Sequence, residues 1–225
     1  TMIVTGSAHE EAVKAQLPKL SSANLVIEDS PKDSTAAIAL AAAILSRREP
    51  DVIIGSFAAD HVIQDGPAFR AAVAEGIELA ATDRIVVIGI QPTEPSVGFG
   101  YIKTGEAISV PGAPSALTVD KFVEKPKLDR AKKYVESGKY LWNAGMFIAP
   151  ASLLLRQLSK SEPELHAGIL ELAAAWDTDQ KASVIKKVWP TLKKVAIDYS
   201  IAEPAAEAGL VAVVPGTFSW HDVGD

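Results

Sequence analysis

Cysteine is missing from the 225-residue chain altogether, which excludes disulfides and thiolate metal sites. Apolar runs long enough to cross a membrane, about 20 residues, are missing too, so no membrane partner is expected. Basic charge is in deficit: 22 Lys and Arg stand against 28 Asp and Glu, a formal net charge of −6. That balance argues against non-specific nucleic-acid binding. It also means that an anionic substrate would need a bound cation or a local basic cluster. Low-complexity tracts and fixed-period repeats are absent. What remains is an ordinary globular composition, 48% hydrophobic and 22% charged, in a chain long enough for a full core.

The first 90 residues alternate strand and helix. Near-continuous apolar runs at 1–6, 24–28, 52–57 and 84–90 read as strands. Helices are expected over 9–20, from Ser34 or Thr35 as cap to Arg48, and from Asp65-Gly66-Pro67 onward. Strands apolar on both faces, joined by helices, imply a parallel sheet with right-handed crossovers. After Gln91 the pattern changes to strand-like pieces joined by Gly/Pro turns, "GFGYIKTGEAI", "LTVDKFVEKP" and "WNAGMFIAP". A charged helix over 128–138 interrupts them. Three helices follow over 151–158, 163–175 and 181–188, then a last strand over 210–214. The expectation is an α/β fold with a Rossmann-like, mostly parallel mixed sheet flanked by helices, in one core domain. Residues 1–90 are expected to form a parallel, nucleotide-type half and 91–225 a mixed substrate half.

Ligands of open α/β sheets bind beyond the carboxyl ends of strands. Asp60 lies just beyond such an end, followed by His61. Three readings compete for it: a cap for the next helix, a partner for a basic neighbour, or a metal ligand. Asp222 follows the last strand in another loop, and two carboxylates from distant segments could share one divalent ion. Mg²⁺ suits such a pair, because it prefers oxygen ligands and keeps several waters. In "KFVEKPK", Pro126 ends a strand. Lys125 could meet a phosphate as a point charge, and Glu124 could accept from sugar hydroxyls; a solvated edge is the plain alternative. In "WNAGMF", Asn143 offers a donor and an acceptor and Gly145 permits close approach; a buried aromatic strand with a bulge is the alternative. "GFGYI" exposes backbone at Gly100 beside Tyr101, or is a plain turn. "SPKDSTA" sets Lys32, Ser34 and Thr35 at a helix start, where anions and bases find donors; an ordinary cap is the alternative.

Taken together and in order, "FAADHVI", "GFGYI", "FVEKP", "WNAGMF" and "WHDVGD" resemble the sugar-phosphate nucleotidyltransferases over essentially the whole chain. "ADH" and "WNAGMF" point to the guanylyltransferase branch. The resemblance implies the nucleotide-diphospho-sugar transferase type of fold. It implies Asp60 and Asp222 as Mg²⁺ ligands, with Asp60, Lys125 and Asp222 catalytic and His61 an orienting group. Gly100, Tyr101, Glu124 and Asn143 become sugar contacts, with Lys125 on the sugar 1-phosphate. Lys32, Ser34 and Thr35 become part of the nucleotide-base pocket, although Ser34 stands where Asn is expected. GTP and mannose 1-phosphate are the implied partners of a cytoplasmic enzyme, with room for a homo-oligomer. The rivals are transfer of another base to another sugar phosphate, and a non-catalytic sugar-nucleotide-binding subunit. The family's Gly-rich phosphate loop has no counterpart here, so the expectation is a core truncated at both ends.

Overall fold

The computed structural model describes residues 1–224. Along the chain the elements are β1 (Ile3–Gly6), α1 (Glu10–Gln16), β2 (Leu25–Glu28), α2 (Asp33–Arg48), β3 (Ile53–Ser56), β4 (His61–Ile63), α3 (Gly66–Ala80) and β5 (Ile85–Ile90). There follow β6 (Gly100–Ala107), β7 (Leu117–Val123), α4 (Leu128–Ser137), β8 (Tyr140–Pro150), α5 (Ala151–Ser161), α6 (Pro163–Ala175), α7 (Lys181–Val188), α8 (Glu203–Glu207), β9 (Val211–Gly216) and β10 (Trp220–Asp222). They group into two compact units, one of Thr1–Val52 with Leu154–Ile201, the other of Ile53–Leu153 with residues 202–224. This grouping cuts across the halves 1–90 and 91–225.

In the first unit β1 and β2 pair in parallel, from Ile3 opposite Leu25 to Gly6 opposite Glu28. The Ala-rich α2 packs on α6, its small side chains Ala36, Ala39, Ala42 and Ala43 fully buried. Neither Ser34 nor Thr35 caps α2, contrary to the expectation from sequence. The helix begins at Asp33 with no capping side chain. Both hydroxyls instead tie the helix start to the segment around Ile197 and Ser200.

The second unit holds a mixed sheet in the order β3-β8-β5-β9-β7-β6. The expectation of a mostly parallel sheet is corrected here. Among the described residues, only β5 and β9 pair in parallel within this sheet; the other pairs are antiparallel. The reason is β8. This long apolar strand runs antiparallel between β3 and β5, so the two apolar runs that suggested parallel neighbours are separated by it. The first part of β8 also pairs with β6, which closes β5, β9, β7, β6 and β8 into a ring. Val86, Ile88, Val214, Met146 and Ile148 fill one core with Leu79 and Ala80 of α3.

Two short features position the site. Opposite β5, β8 bulges: Phe147 faces Val87 and Asn143 faces Gly89, leaving 144–146 unpaired. Gly145 sits in the bulge at φ +67, a conformation that glycine adopts without strain. Separately, β4 and β10 form an antiparallel ladder with Trp220 opposite Ile63 and Asp222 opposite His61. The sequence reading put Asp222 in a loop. It ends a strand, one too short to show as a periodic pattern.

Candidate metal and sugar-phosphate site

The β4–β10 ladder brings the two acids named from sequence together. Asp60, His61 and Asp222 each offer a ligand atom, and these atoms lie within 4.8 Å of one another. The backbone locks the arrangement, as Val223 N–H donates to the Asp60 carbonyl at 3.0 Å. Helix capping is excluded for Asp60, because Asp65 caps α3 by accepting from Ala68 N–H at 3.0 Å. His61 is held from behind by the edge of Trp220, ring centroids 5.3 Å apart. Phe99 extends this wall by packing edge-on against both Trp220 and Trp142.

Three observations fit this cluster to a divalent cation. Its donors are two carboxylates and an imidazole, a set that suits hard to borderline ions. The His61 Nδ1 atom is buried without a hydrogen-bond partner. Gly224 leaves a cradle, since a Cβ there would collide with Asp60 Oδ2 and lie 3.2 Å from Asp222 Oδ1.

A second group of residues adjoins the cluster through the β8 bulge. A Cβ at Gly145 would lie 4.0 Å from His61 Cε1, and Gly145 N–H donates to Asn143 Oδ1 at 3.2 Å. Asn143, only 7% exposed, stands opposite Gly100 in the β6–β8 ladder. Gly100 leaves space for Glu124: an added Cβ would be 2.5 Å from Glu124 Oε2 and 3.3 Å from Asn143 Cβ. Lys125 Nζ lies 4.0 Å from Glu124 Oε1, its side chain 61% exposed. Lys125 has φ +42, strained for a residue with a Cβ, and the buried Pro126 behind it fixes the chain direction. Gly100, Glu124, Lys125 and Asn143 therefore gather as their motifs suggested. Tyr101 does not present a polar group: its side chain is fully buried and its hydroxyl donates to the Ser96 carbonyl at 2.9 Å.

The polar groups at the start of α2 are engaged within the first unit. Lys32 Nζ donates to the carbonyls of Pro190 and Leu192 at 2.8 and 2.9 Å. Ser34 Oγ accepts from Ile197 N–H at 2.9 Å. Thr35 Oγ1 and Ser200 Oγ are 2.8 Å apart in a buried pair.

The nucleotidyl transferase family model matches residues 1–225. The chain belongs to the nucleotidyl transferase family. Among curated relatives, mannose-1-phosphate guanylyltransferase of Escherichia coli (strain K12) is 36% identical over 228 residues, covering 99% of this chain and 47% of that protein. Mannose-1-phosphate guanylyltransferase ManC of Salmonella typhimurium (strain LT2) is 35% identical over 230 residues, with 99% and 47% covered. This nucleotidyl transferase chain thus spans about half the length of the curated relatives it matches. The crystal structure of mannose-1-phosphate geranyltransferase from Thermus thermophilus superposes with a TM-score of 0.84 at 27% identity, covering 100% of this chain and 61% of that one.

Some of what surrounds the site in this nucleotidyl transferase was not foreseen. His61 was read as an orienting group, yet its ring belongs to the same cluster as the two acids. The sequence motifs do not single out Phe99 or Gly224, which adjoin the cluster. The adjacency "ADH" was a usable signal for His61. No local pattern marks the others, whose roles depend on which strands become neighbours.

Proposed function

We propose that the protein carrying this chain transfers GMP from GTP to mannose 1-phosphate, giving GDP-mannose and pyrophosphate. The observation that carries this reading is the joining of Asp60 and Asp222 in one oxygen-rich cluster, linked through Gly145 to the Asn143–Gly100–Glu124 corner. The names of the curated relatives support the choice of guanine and mannose.

In the reaction, an oxygen of the sugar 1-phosphate forms a bond to the α-phosphorus of GTP. The bond from that phosphorus to the α–β bridging oxygen breaks, and pyrophosphate departs with the electron pair. The physical difficulty is bringing one anion against another. Mg²⁺, when bound, supplies the positive charge that offsets the α-phosphate and orients the reacting groups. Asp60 and Asp222 hold that ion, and Trp220 fixes the plane of His61 beside them. Lys125, exposed on a strained and therefore defined backbone, sets its ammonium against the attacking phosphate. Asn143 and Glu124 read sugar hydroxyls in a corner that Gly100 keeps open. Lys32, Ser34 and Thr35 contribute a rigid loop to nucleotide binding, their side chains stiffening it from within. Catalysis then rests on positioning and charge stabilisation, without a covalent intermediate. A biosynthetic role of this kind belongs in the cytoplasm; among the described residues no helix is long and apolar enough to cross a membrane.

The test is pyrophosphate release by the full-length protein with mannose 1-phosphate and GTP, ATP or UTP, and with GTP and glucose 1-phosphate. Turnover dominated by the GTP and mannose 1-phosphate pair supports the reading. Preference for another pair overturns the assigned substrates. Tight nucleotide binding without turnover overturns the enzyme itself in favour of a binding subunit.

A further inference from the structure

Lys125 stands on a backbone that its own sequence does not favour. Its φ of +42 lies in the left-handed region, which a residue with a Cβ enters only under strain. It also precedes Pro126, and residues in that place favour extended backbone with φ about −120°. Such a conformation persists only where the surroundings over-determine it. On the C-terminal side the buried Pro126 supplies one anchor. The N-terminal side needs another, because β7 ends at Val123 and its last ladder pair, Val123 opposite Tyr101, stops short of the turn.

That anchor comes from a different element. The short helix α8 packs on β7, with Ala205 and Ala206 buried and Pro204 in its first turn. Glu203, the first residue of α8, is half-buried. The Glu124 N–H donates to Glu203 Oε1 at 3.4 Å. The two residues are 79 positions apart, so the bond ties two elements together rather than closing a local turn. It takes hold one residue before Lys125. Glu124 directs its own carboxylate to the opening beside Gly100, so the two acids do different things: one faces the sugar corner, the other holds the backbone that carries it.

We propose that Glu203 is a positioning residue for Lys125: by holding the Glu124 N–H it keeps the strained turn in place, and with it the ammonium that meets the sugar 1-phosphate. This deepens, and rests on, the reading of the protein as a GTP-dependent transferase. The Lys125 side chain is 61% exposed, so packing gives it no fixed place. Its direction comes from the backbone beneath it. Without the Glu203 contact that backbone relaxes toward the extended conformation favoured before proline. The ammonium then turns away from the phosphate, while the contacts to GTP stay as they are. The role asks for an acceptor at the right reach, not for a charge.

Two substitutions in the full-length protein separate reach from charge. Glu203→Gln keeps the length and an acceptor oxygen but not the charge. Glu203→Asp keeps the charge and draws its oxygens back by one methylene. Glu203→Asp should raise KM for mannose 1-phosphate about tenfold, as for one lost hydrogen bond to a charged group, and leave KM for GTP within about twofold. Glu203→Gln should stay within about threefold of wild type for both substrates. In a Lys125→Ala background, Glu203→Asp should change kcat/KM for mannose 1-phosphate by less than about twofold, because nothing remains to be positioned. Amide hydrogen exchange followed by NMR reads the contact without substrate. The Glu124 N–H should exchange about tenfold faster in Glu203→Asp and at the wild-type rate in Glu203→Gln. A Glu203→Gln protein impaired as much as Glu203→Asp overturns the proposal in favour of a charge. So does a Glu203→Asp effect that persists in full without Lys125, or an unchanged exchange rate of the Glu124 amide. These results leave the transferase reading intact as long as wild type turns over GTP and mannose 1-phosphate. A wild type without turnover overturns that reading, and this inference with it.

Discussion

His61 and Asp222 face each other across the β4–β10 ladder, and the chain after Asp222 donates back to the carbonyl of Asp60 at 3.0 Å. Two acids more than 160 positions apart in the chain are thus brought together by backbone pairing, and Gly224 N–H donates to Asp222 Oδ1 at 2.9 Å. Asp60→Asn and Asp222→Asn should each leave the fold intact, weaken Mn²⁺ binding measured by electron paramagnetic resonance, and lower Mg²⁺-dependent turnover roughly a thousandfold. Near-normal turnover of either variant at saturating Mg²⁺ would remove the metal from the mechanism.

Gly100 makes a sharper test of the sugar corner, because it carries no functional group of its own. A methyl group there would press on Glu124 Oε2 and on Asn143 Cβ. Gly100 is buried within β6, so the strand cannot swing away, while the Glu124 side chain can. Gly100→Ala should therefore raise KM for the sugar phosphate about tenfold or more and leave KM for GTP within about twofold. A parallel rise in both constants would mean that the corner does not hold the sugar.

The strands, the charged helix and the order of the motifs were legible in the sequence because apolar runs and Gly/Pro breaks are local signals. The direction of β8 was not: "WNAGMFIAP" shows how buried the strand is, not that it inserts antiparallel between β3 and β5. The same limit applies to the site. Asp60 and Asp222 could be named from their places after strands, and Glu124, Lys125 and Asn143 from their motifs. The engagement of Lys32, Ser34 and Thr35 could not, since their partners Pro190, Ile197 and Ser200 lie in a segment with no evident pattern. Tyr101 looked like a ligand contact for a related reason: an aromatic that follows a glycine turn reads as exposed until the strand is placed inside a ring of strands.

Lys125 and Asn143 should separate binding of the phosphate from recognition of the sugar. Lys125→Ala removes an exposed ammonium and retains the strained backbone angle. It should lower kcat/KM for mannose 1-phosphate far more than for GTP. Asn143→Ala removes a 7%-exposed amide that also accepts from Gly145 N–H, and should narrow the preference between mannose and glucose 1-phosphates. A lost buried hydrogen bond costs about 1–3 kcal/mol, or about tenfold to a hundredfold in that ratio. If both substrates suffer equally in both variants, the division of roles is wrong.

Glu28 ends β2 with its Oε1 buried and without a partner. Its carboxyl is raised in the folded state by burial and by Asp33, so the folded chain keeps the proton to higher pH than the unfolded chain does. Below the unfolded-state pKa both states are protonated and the group has no effect. As pH rises past that value the unfolded chain releases its proton first, and stability falls until the folded carboxyl has also ionised. The loss then persists at neutral pH. Glu28→Gln removes the titration while keeping the shape, so the ligand-free variant should match wild type near pH 4 and unfold at a higher temperature than wild type at pH 7. Partial exposure of the side chain screens the effect, which should remain at or below about 1 kcal/mol. Thermal unfolding at the two pH values reads both effects in one series. A variant less stable than wild type at pH 7 without nucleotide would show that Glu28 already has its partner inside the fold.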